Sequence, residues 1–465
     1  MNTSLLIKNG VVVNADKKRR ADVYIDEGRI KEIKKSITRP AGRTIDASGC
    51  FLFPGGIDPH VHMELPVRGG HSSDTFSTGS RAALFGGTTT IIDFANQERG
   101  GTLSHALGEW MSRANGNSFC DFAFHVSITD YNDRTRREIR ECVERHGVSS
   151  FKIFTAYEAL RIGDADILAI MEDVAKLHAI VLAHAENGDM IERVTAKHRS
   201  HGKHEVKYHP EAHPVEAEIE ATTRLVDMAL HTGCALYVVH ITSGEALRRL
   251  AGARKAHARR KRLPSVFAET CPQYLLLDRA LYEVPGFEGA KYVCSPPLRG
   301  AADRAALWRG IEDGRIDTLA TDHCPFTMKQ KEWGLGDYAR IPNGVPGVEH
   351  RMQLLFSEGV AKKRIKPERF VELTSTAAAR VFGLYPKKGA IMPGSDGDIV
   401  IFDPEAVDRI SARSHHMNCD YSVYEDLRVR GRCRTVILRG TVAVDGGALE
   451  LPEGFGRYIP RVILV

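Results

Sequence analysis

No two of the nine cysteines stand in a CxxC spacing, and their odd number is spread thinly from Cys50 to Cys433. A disulfide scaffold is therefore excluded, and reduced thiols in a cytoplasmic compartment are the expectation. Residues 1–20 hold only short apolar runs broken by charge and by Asn9-Gly10, so they read as neither a secretory signal nor a membrane anchor. Gly-rich phosphate loops, internal repeats, low-complexity tracts and heptad arrays are also missing. Charge of one sign is scarce as well: 64 basic residues face 59 acidic ones, a formal net charge of +5. The one basic run, Arg254 to Arg262, follows an apolar helical stretch and reads as the solvated end of a helix. Neither a nucleic-acid nor a membrane partner is expected.

What is present is an ordinary globular composition, 43% apolar and 26% charged over 465 residues. Residues 4–36 read as short β segments, with turns at Asn9-Gly10 and Glu27-Gly28. The same texture returns after residue 388 in GSDGDIVIFDP, RTVILRG and TVAVDGG. Residues 1–54 and 381–445 are thus predicted to form one small β-sandwich domain. Between them, apolar runs (TTTIIDF, DFAFHVSI, SSFKIF, AIVLAH, CALYVVH, SVFAET, DTLATD) alternate with helical stretches such as EIRECVERHG and ADILAIMEDVAKLHA. This alternation predicts an α/β fold, a (β/α)8 barrel over residues 55–380. Residues 446–465 are left as a C-terminal tail, a candidate packing arm in an oligomer.

Several of the apolar runs carry a residue able to bind metal or move protons: His60 and His62 after FPGGID, Lys152 in SSFKIF, His184, His240 and Asp322. Strand C-termini of a barrel converge on one rim, so these six are expected to meet. His60-x-His62 can present both imidazoles to one ion, because alternate residues of an extended chain point the same way. Lys152 lies between Phe151 and Ile153-Phe154, where an unpaired ammonium costs several kcal/mol to bury. It must either pair with an acid, snorkel to solvent, or be converted by carbon dioxide to a carbamate, and the residues alone leave these open. Asp322 can serve as a ligand that also shuttles a proton, or as a helix N-cap.

The order HxH, Lys, His, His, Asp, together with FPGGIDPHVH, GGTTTIIDF, SSFKIF, HAENGD, VHITS, SPPLR, ATDHC, IPNG, PGVEHRMQLLFSEGV and KGAIMPGSDGDIVIFDP, resembles the hydantoinase and dihydropyrimidinase family of binuclear amidohydrolases. ETCPQYLLLD and RMQLLFS are most similar to its bacterial D-hydantoinase and phenylhydantoinase branch. The resemblance implies hydrolysis of a cyclic amide, a hydantoin or dihydropyrimidine, to an N-carbamoyl amino acid. It further implies two divalent ions, zinc by preference, one held by His60, His62, Lys152 and Asp322 and the other by Lys152, His184 and His240. Lys152 would be N6-carboxylated, and Asp322 would be both ligand and acid/base. Tyr157 would donate to the oxyanion, while Ser295 and Asn343 would hold the cyclic ureide or imide by main-chain groups. Relatives of this kind are homotetramers or dimers.

Glu64 to Phe76 falls where the family places a lid, yet here it reads ELPVRGGHSSDTF, with Arg68 and two glycines. An allantoinase- or dihydroorotase-like ring hydrolase is the alternative within enzymes, with Arg68 as a carboxylate contact. A non-catalytic scaffold of the same fold is the other, and retention of all six candidate ligands argues against it.

Overall fold

Eight short segments between residues 56 and 319 are almost wholly apolar and buried on both faces, a pattern that suits parallel strands covered by helices. In the computed structural model, which describes residues 4–257 and 265–462, they are Gly56–Val61, Thr88–Asn96, Asp121–Ser127, Ser150–Phe154, Ile180–His184, Ala235–Val238, Val266–Thr270 and Thr318–Leu319. Each pairs in parallel with the next in sequence order. The ring closes where Val61 bridges His323 and the His62 amide donates to the His323 carbonyl at 2.8 Å. The result is the expected (β/α)8 barrel.

Local chemistry places the helices. Asn132 caps Asp133–His146 by accepting from the Arg134 and Thr135 amides, and Gly147 ends that helix in the left-handed region. The basic run predicted as a helix end begins on Gly244–His257. Its first member, Arg254, is anchored on the Val266 and Arg315 carbonyls and paired with Asp317; from residue 258 onward the run lies outside the described residues.

The chain ends build the second unit. Phe51–Pro54 lies antiparallel to Ile399–Arg409, which pairs with Arg428–Leu438, so segments more than 340 residues apart share one seven-stranded sheet. A four-stranded sheet of Leu5–Lys8, Asp22–Asp26, Arg29–Lys34 and Arg43–Asp46 packs on it through Ile7, Val23, Ile25, Leu52, Ile399 and Ile437. Glu27-Gly28 makes a tight hairpin as predicted, both residues at positive φ. Asn9-Gly10 does something different: the strands on either side of it belong to different sheets. The Asn9 backbone amide bonds to Asp22 and its side chain to Asp46, which makes this turn a corner between sheets. The tail runs back over its own barrel, where Ile459 and Arg461 are buried and the Arg461 guanidinium reaches the Phe124 carbonyl and Ser150.

Lys388 joins the two units. Fully buried, it bonds Asp121 at the start of the third barrel strand at 2.8 Å and Asp398 at the start of the sandwich at 2.5 Å, and pairs with Asp396 at 3.4 Å. Arg439 reaches the same Asp121 carboxylate. Removing one partner of such a buried network strands the others' charge. Lys388→Met is therefore expected to cost about 3–5 kcal/mol of unfolding free energy, read from guanidinium denaturation. A loss of less than about 1 kcal/mol would mean the knot is dispensable.

Candidate active site

The six residues singled out in the sequence occupy one end of the barrel. His60 is the penultimate residue of the first strand and His62 lies just past it, and His184 is the last residue of the fifth. His240 follows the sixth strand by two residues and Asp322 the eighth by three. Lys152 sits in the middle of the fourth strand, with its amine brought over the Phe94 and Phe154 rings at 4.9 and 5.3 Å. His240, Asp322 and Tyr157 all adopt positive φ (39°, 53° and 67°), a strained conformation for residues with a side chain.

Two of the four imidazoles, those of His60 and His184, are oriented by a buried carboxylate. His60 donates through Nδ1 to Glu269 at 2.7 Å, which turns its Nε2 toward Asp322 Oδ1 at 3.1 Å. His62 Nε2 approaches the same oxygen at 3.2 Å. His184 donates through Nε2 to Glu186 at 2.9 Å, so its free Nδ1 faces His240 Nε2 at 3.0 Å. The imidazole nitrogens and the Asp322 carboxylate thus crowd one space, a donor set that suits a divalent cation. The ligand atoms of His60, His240 and Asp322 all lie within 4.8 Å of one another. His62 Nδ1 and His240 Nδ1 are buried with no hydrogen-bond partner.

Electrostatics follow from this crowding. Burial opposes a charge on His60, but Glu269 and Asp322 outweigh it and raise its pKa to about 9. Burial dominates at His62 and lowers it to about 4 despite Asp322. Asp322 is itself buried, yet His60 and His62 hold it well below the usual carboxylate range. Lys152 is lowered to about 8 by burial, and its Nζ makes no hydrogen bond or ion pair with a described residue. Burial, reinforced by Glu186, keeps the Tyr157 hydroxyl protonated and able to donate.

A cavity of about 750 Å³ opens onto this cluster. All nine sequence-predicted residues line it: His60, His62, Lys152, Tyr157, His184, His240, Ser295, Asp322 and Asn343. Ser295 Oγ and Asn343 Oδ1 are buried there without partners. One wall is the predicted lid, whose Pro66–Val67 and Gly70–His71 form a two-stranded ribbon with Arg68 at its tip.

The sequence reading missed the residues that hold the imidazoles. Glu269 accepts from His60, from the His240 amide at 3.0 Å and from the Tyr237 hydroxyl at 2.7 Å. Glu186 accepts from both His184 and His213. An acid in the apolar run SVFAET was the available signal for Glu269, of the same kind that drew attention to Lys152; Glu186 in a polar loop gave none. Asp58 accepts from Thr321, beside Asp322, and pairs with the fully buried Arg351 at 3.6 Å.

Comparison with known proteins agrees with this geometry. Residues 51–443 match the model of the amidohydrolase family. A D-hydantoinase of Streptomyces coelicolor is 44% identical over 99% of this chain and 98% of its own length. A D-phenylhydantoinase of Escherichia coli is 42% identical over 98% of both. The crystal structure of dihydropyrimidinase from Brevibacillus agri superposes with a TM-score of 0.97 at 41% identity, covering 99% of each chain.

Because Glu269 orients two candidate ligands at once, Glu269→Gln is expected to weaken metal retention by roughly 10–100-fold. Competition with a chromogenic chelator measures this. Retention equal to that of the unmodified protein would show the carboxylate to be structural only.

Proposed function

The chain belongs to the amidohydrolase family and hydrolyses cyclic amides, and from that premise we propose that its substrate is a cyclic ureide, a hydantoin or dihydropyrimidine, opened to the N-carbamoyl amino acid. The observation that carries the reading is the convergence of four imidazoles, one carboxylate and a partnerless buried amine at the floor of a cavity large enough for such a ring. The D-hydantoinase and D-phenylhydantoinase relatives support a preference for the D enantiomer.

The donor set fits two divalent ions. His60, His62 and Asp322 would hold one and His184 and His240 the other, with Lys152 between them, and imidazole with oxygen ligands suits zinc. As a plain ammonium Lys152 adds charge to a site that needs acceptors. As a carbamate, formed when its neutral amine attacks carbon dioxide and loses a proton, it would offer an oxygen to each ion. The ions, when bound, would supply Lewis acidity, lowering the pKa of water and polarising the scissile carbonyl.

The chain's own groups then do the following. Ser295 and Asn343 seat the ring through main-chain and unpartnered polar atoms, which fixes the carbonyl over the imidazole cluster. Tyr157 donates to the oxygen that gains charge as water adds. Asp322 takes a proton from the attacking water and returns it to the ring nitrogen as the C–N bond breaks, leaving a carboxylate and an N-carbamoyl group.

Arg68 favours a second reading. It lies exposed on the cavity wall with no ion pair among the described residues, as a contact for a ring bearing a carboxylate would. Initial rates on dihydrouracil, on both enantiomers of 5-phenylhydantoin, on allantoin and on dihydroorotate separate these readings. The highest kcat/KM is expected for D-5-phenylhydantoin or dihydrouracil, and faster dihydroorotate turnover would favour the second. Self-association into a dimer or tetramer is part of the proposal, supported by the exposed Val284, Trp333 and Leu335, and sedimentation velocity measures it.

Lys152→Ala is expected to lose bound metal and to lower kcat by at least about 100-fold. Short carboxylic acids that mimic the carbamate should restore part of it. Turnover at the unmodified level in that variant would remove Lys152 from the mechanism.

A further inference from the structure

Lys331 is the last residue of the short helix Met328–Lys331 and is completely buried. Its ammonium donates to three carbonyls: Val293 at 3.0 Å, Pro342 at 2.7 Å and Gly344 at 2.8 Å. No carboxylate pairs with it among the described residues. The groups facing it are the thiols of Cys294, Cys324 and Cys419, the His209 imidazole and the Phe326 ring. A charge is seldom buried without a counter-ion, so three well-placed acceptors must compensate it. Those acceptors belong to the two loops that carry Ser295 and Asn343, which are otherwise tied by the Gly344 amide donating to the Val293 carbonyl at 2.9 Å. This helix and the turn that follows it, Glu332–Gly334, also brace the lid. Gln330 donates to the His71 carbonyl at 2.9 Å, and the Trp333 ring lies under Gly69 and Gly70.

We infer that Lys331 is a positioning residue for substrate: its ammonium clasps the Val293–Ser295 and Pro342–Gly344 loops together, and so sets the spacing at which Ser295 and Asn343 grip the ring. The inference rests on the proposed cyclic ureide substrate for its kinetic consequence, but the clasp exists without it. Chemistry gives the clasp a distinctive signature. An ammonium has three N–H donors for its three carbonyls, whereas a neutral amine has two and turns a lone pair on the third. Burial lowers Lys331 to about 8, so the clasp loosens as pH rises through that value. The substrate KM should climb there, while the atoms that do the chemistry stay in place.

The test compares full-length, metal-loaded wild type, Lys331→Met and Lys331→Arg on the ring substrate that wild type turns over fastest. Lys331→Met is expected to raise KM by roughly tenfold or more, with kcat within about threefold and metal content unchanged. Lys331→Arg, which keeps charge and donors, should recover part of the loss. The wild-type KM should rise between about pH 7 and about pH 9.5, and the Lys331→Met KM should not. An unmoved KM, or a fall in kcat alone, overturns the inference. Hydrogen–deuterium exchange on wild type needs neither substrate nor variant. Over the same pH range, after correction for intrinsic exchange, peptides covering residues 293–298 and 342–347 should lose protection while the barrel strands keep theirs. Unchanged protection in those two loops overturns the clasp even if no ring substrate is found. The expected exchange with no ring turnover supports the clasp and overturns only the substrate reading.

Discussion

Everything at the candidate site depends on closure of the barrel between its first and eighth strands. The Val61–His323 bridge and the His62 amide bond to the His323 carbonyl bring residues 60–62 against residue 322, more than 250 positions away in the chain. Without that closure His60, His62 and Asp322 would sit on opposite edges of an open sheet. With it, the Asp322 carboxylate lies 3.1–3.2 Å from two imidazoles. The cost is visible in the backbone, where His240 and Asp322 are held at positive φ by the hydrogen bonds around them. Asp58 fixes Thr321, Glu269 fixes the His240 amide, and Asp74 fixes His323 at 2.9 Å.

Buried charge organises the rest of the molecule, and how each charge is satisfied separates roles. Lys388 is met by three carboxylates and locks barrel to sandwich. Arg351 is met by Asp58 and by the Leu319 and Thr374 carbonyls, and fills the base of the barrel. Lys331 is met by carbonyls alone and holds loops. Lys152 has only the faces of two phenylalanines. Among the described residues the other two deeply buried lysines are met by acceptors on all sides, so the one without a hydrogen bond or ion pair marks the place where something else must bind or attach.

Much of the fold was legible because its signal is local. Runs such as TTTIIDF and AIVLAH became barrel strands, and the Glu27-Gly28 hairpin formed as read, since strand and turn preferences act over a few residues. Asn9-Gly10 shows where that logic ends. The same kind of dipeptide makes a corner between two sheets, because Asp22 and Asp46 take the Asn9 hydrogen bonds and distant strands take its neighbours. The course of the last residues along the barrel rests on pairings with residues 118–122, 147 and 383 that no local pattern announces.

By itself the sequence determined the chemistry available: which strands carry imidazole, amine or carboxylate, and in what order. Residue identity and strand period are local properties, and they were enough to name six residues that share one cavity, while Tyr157, Ser295 and Asn343 were named by the family resemblance. Tertiary structure alone decided orientation. It selected which nitrogen of His60 and of His184 faces the centre, through Glu269 and Glu186, the first of them 209 positions from its histidine. It also decided that a lysine of a short helix would bind together the two loops that carry Ser295 and Asn343. Hydrogen-bond direction and burial depend on atoms brought together only when the chain closes on itself, and a linear sequence does not contain that information at any single position.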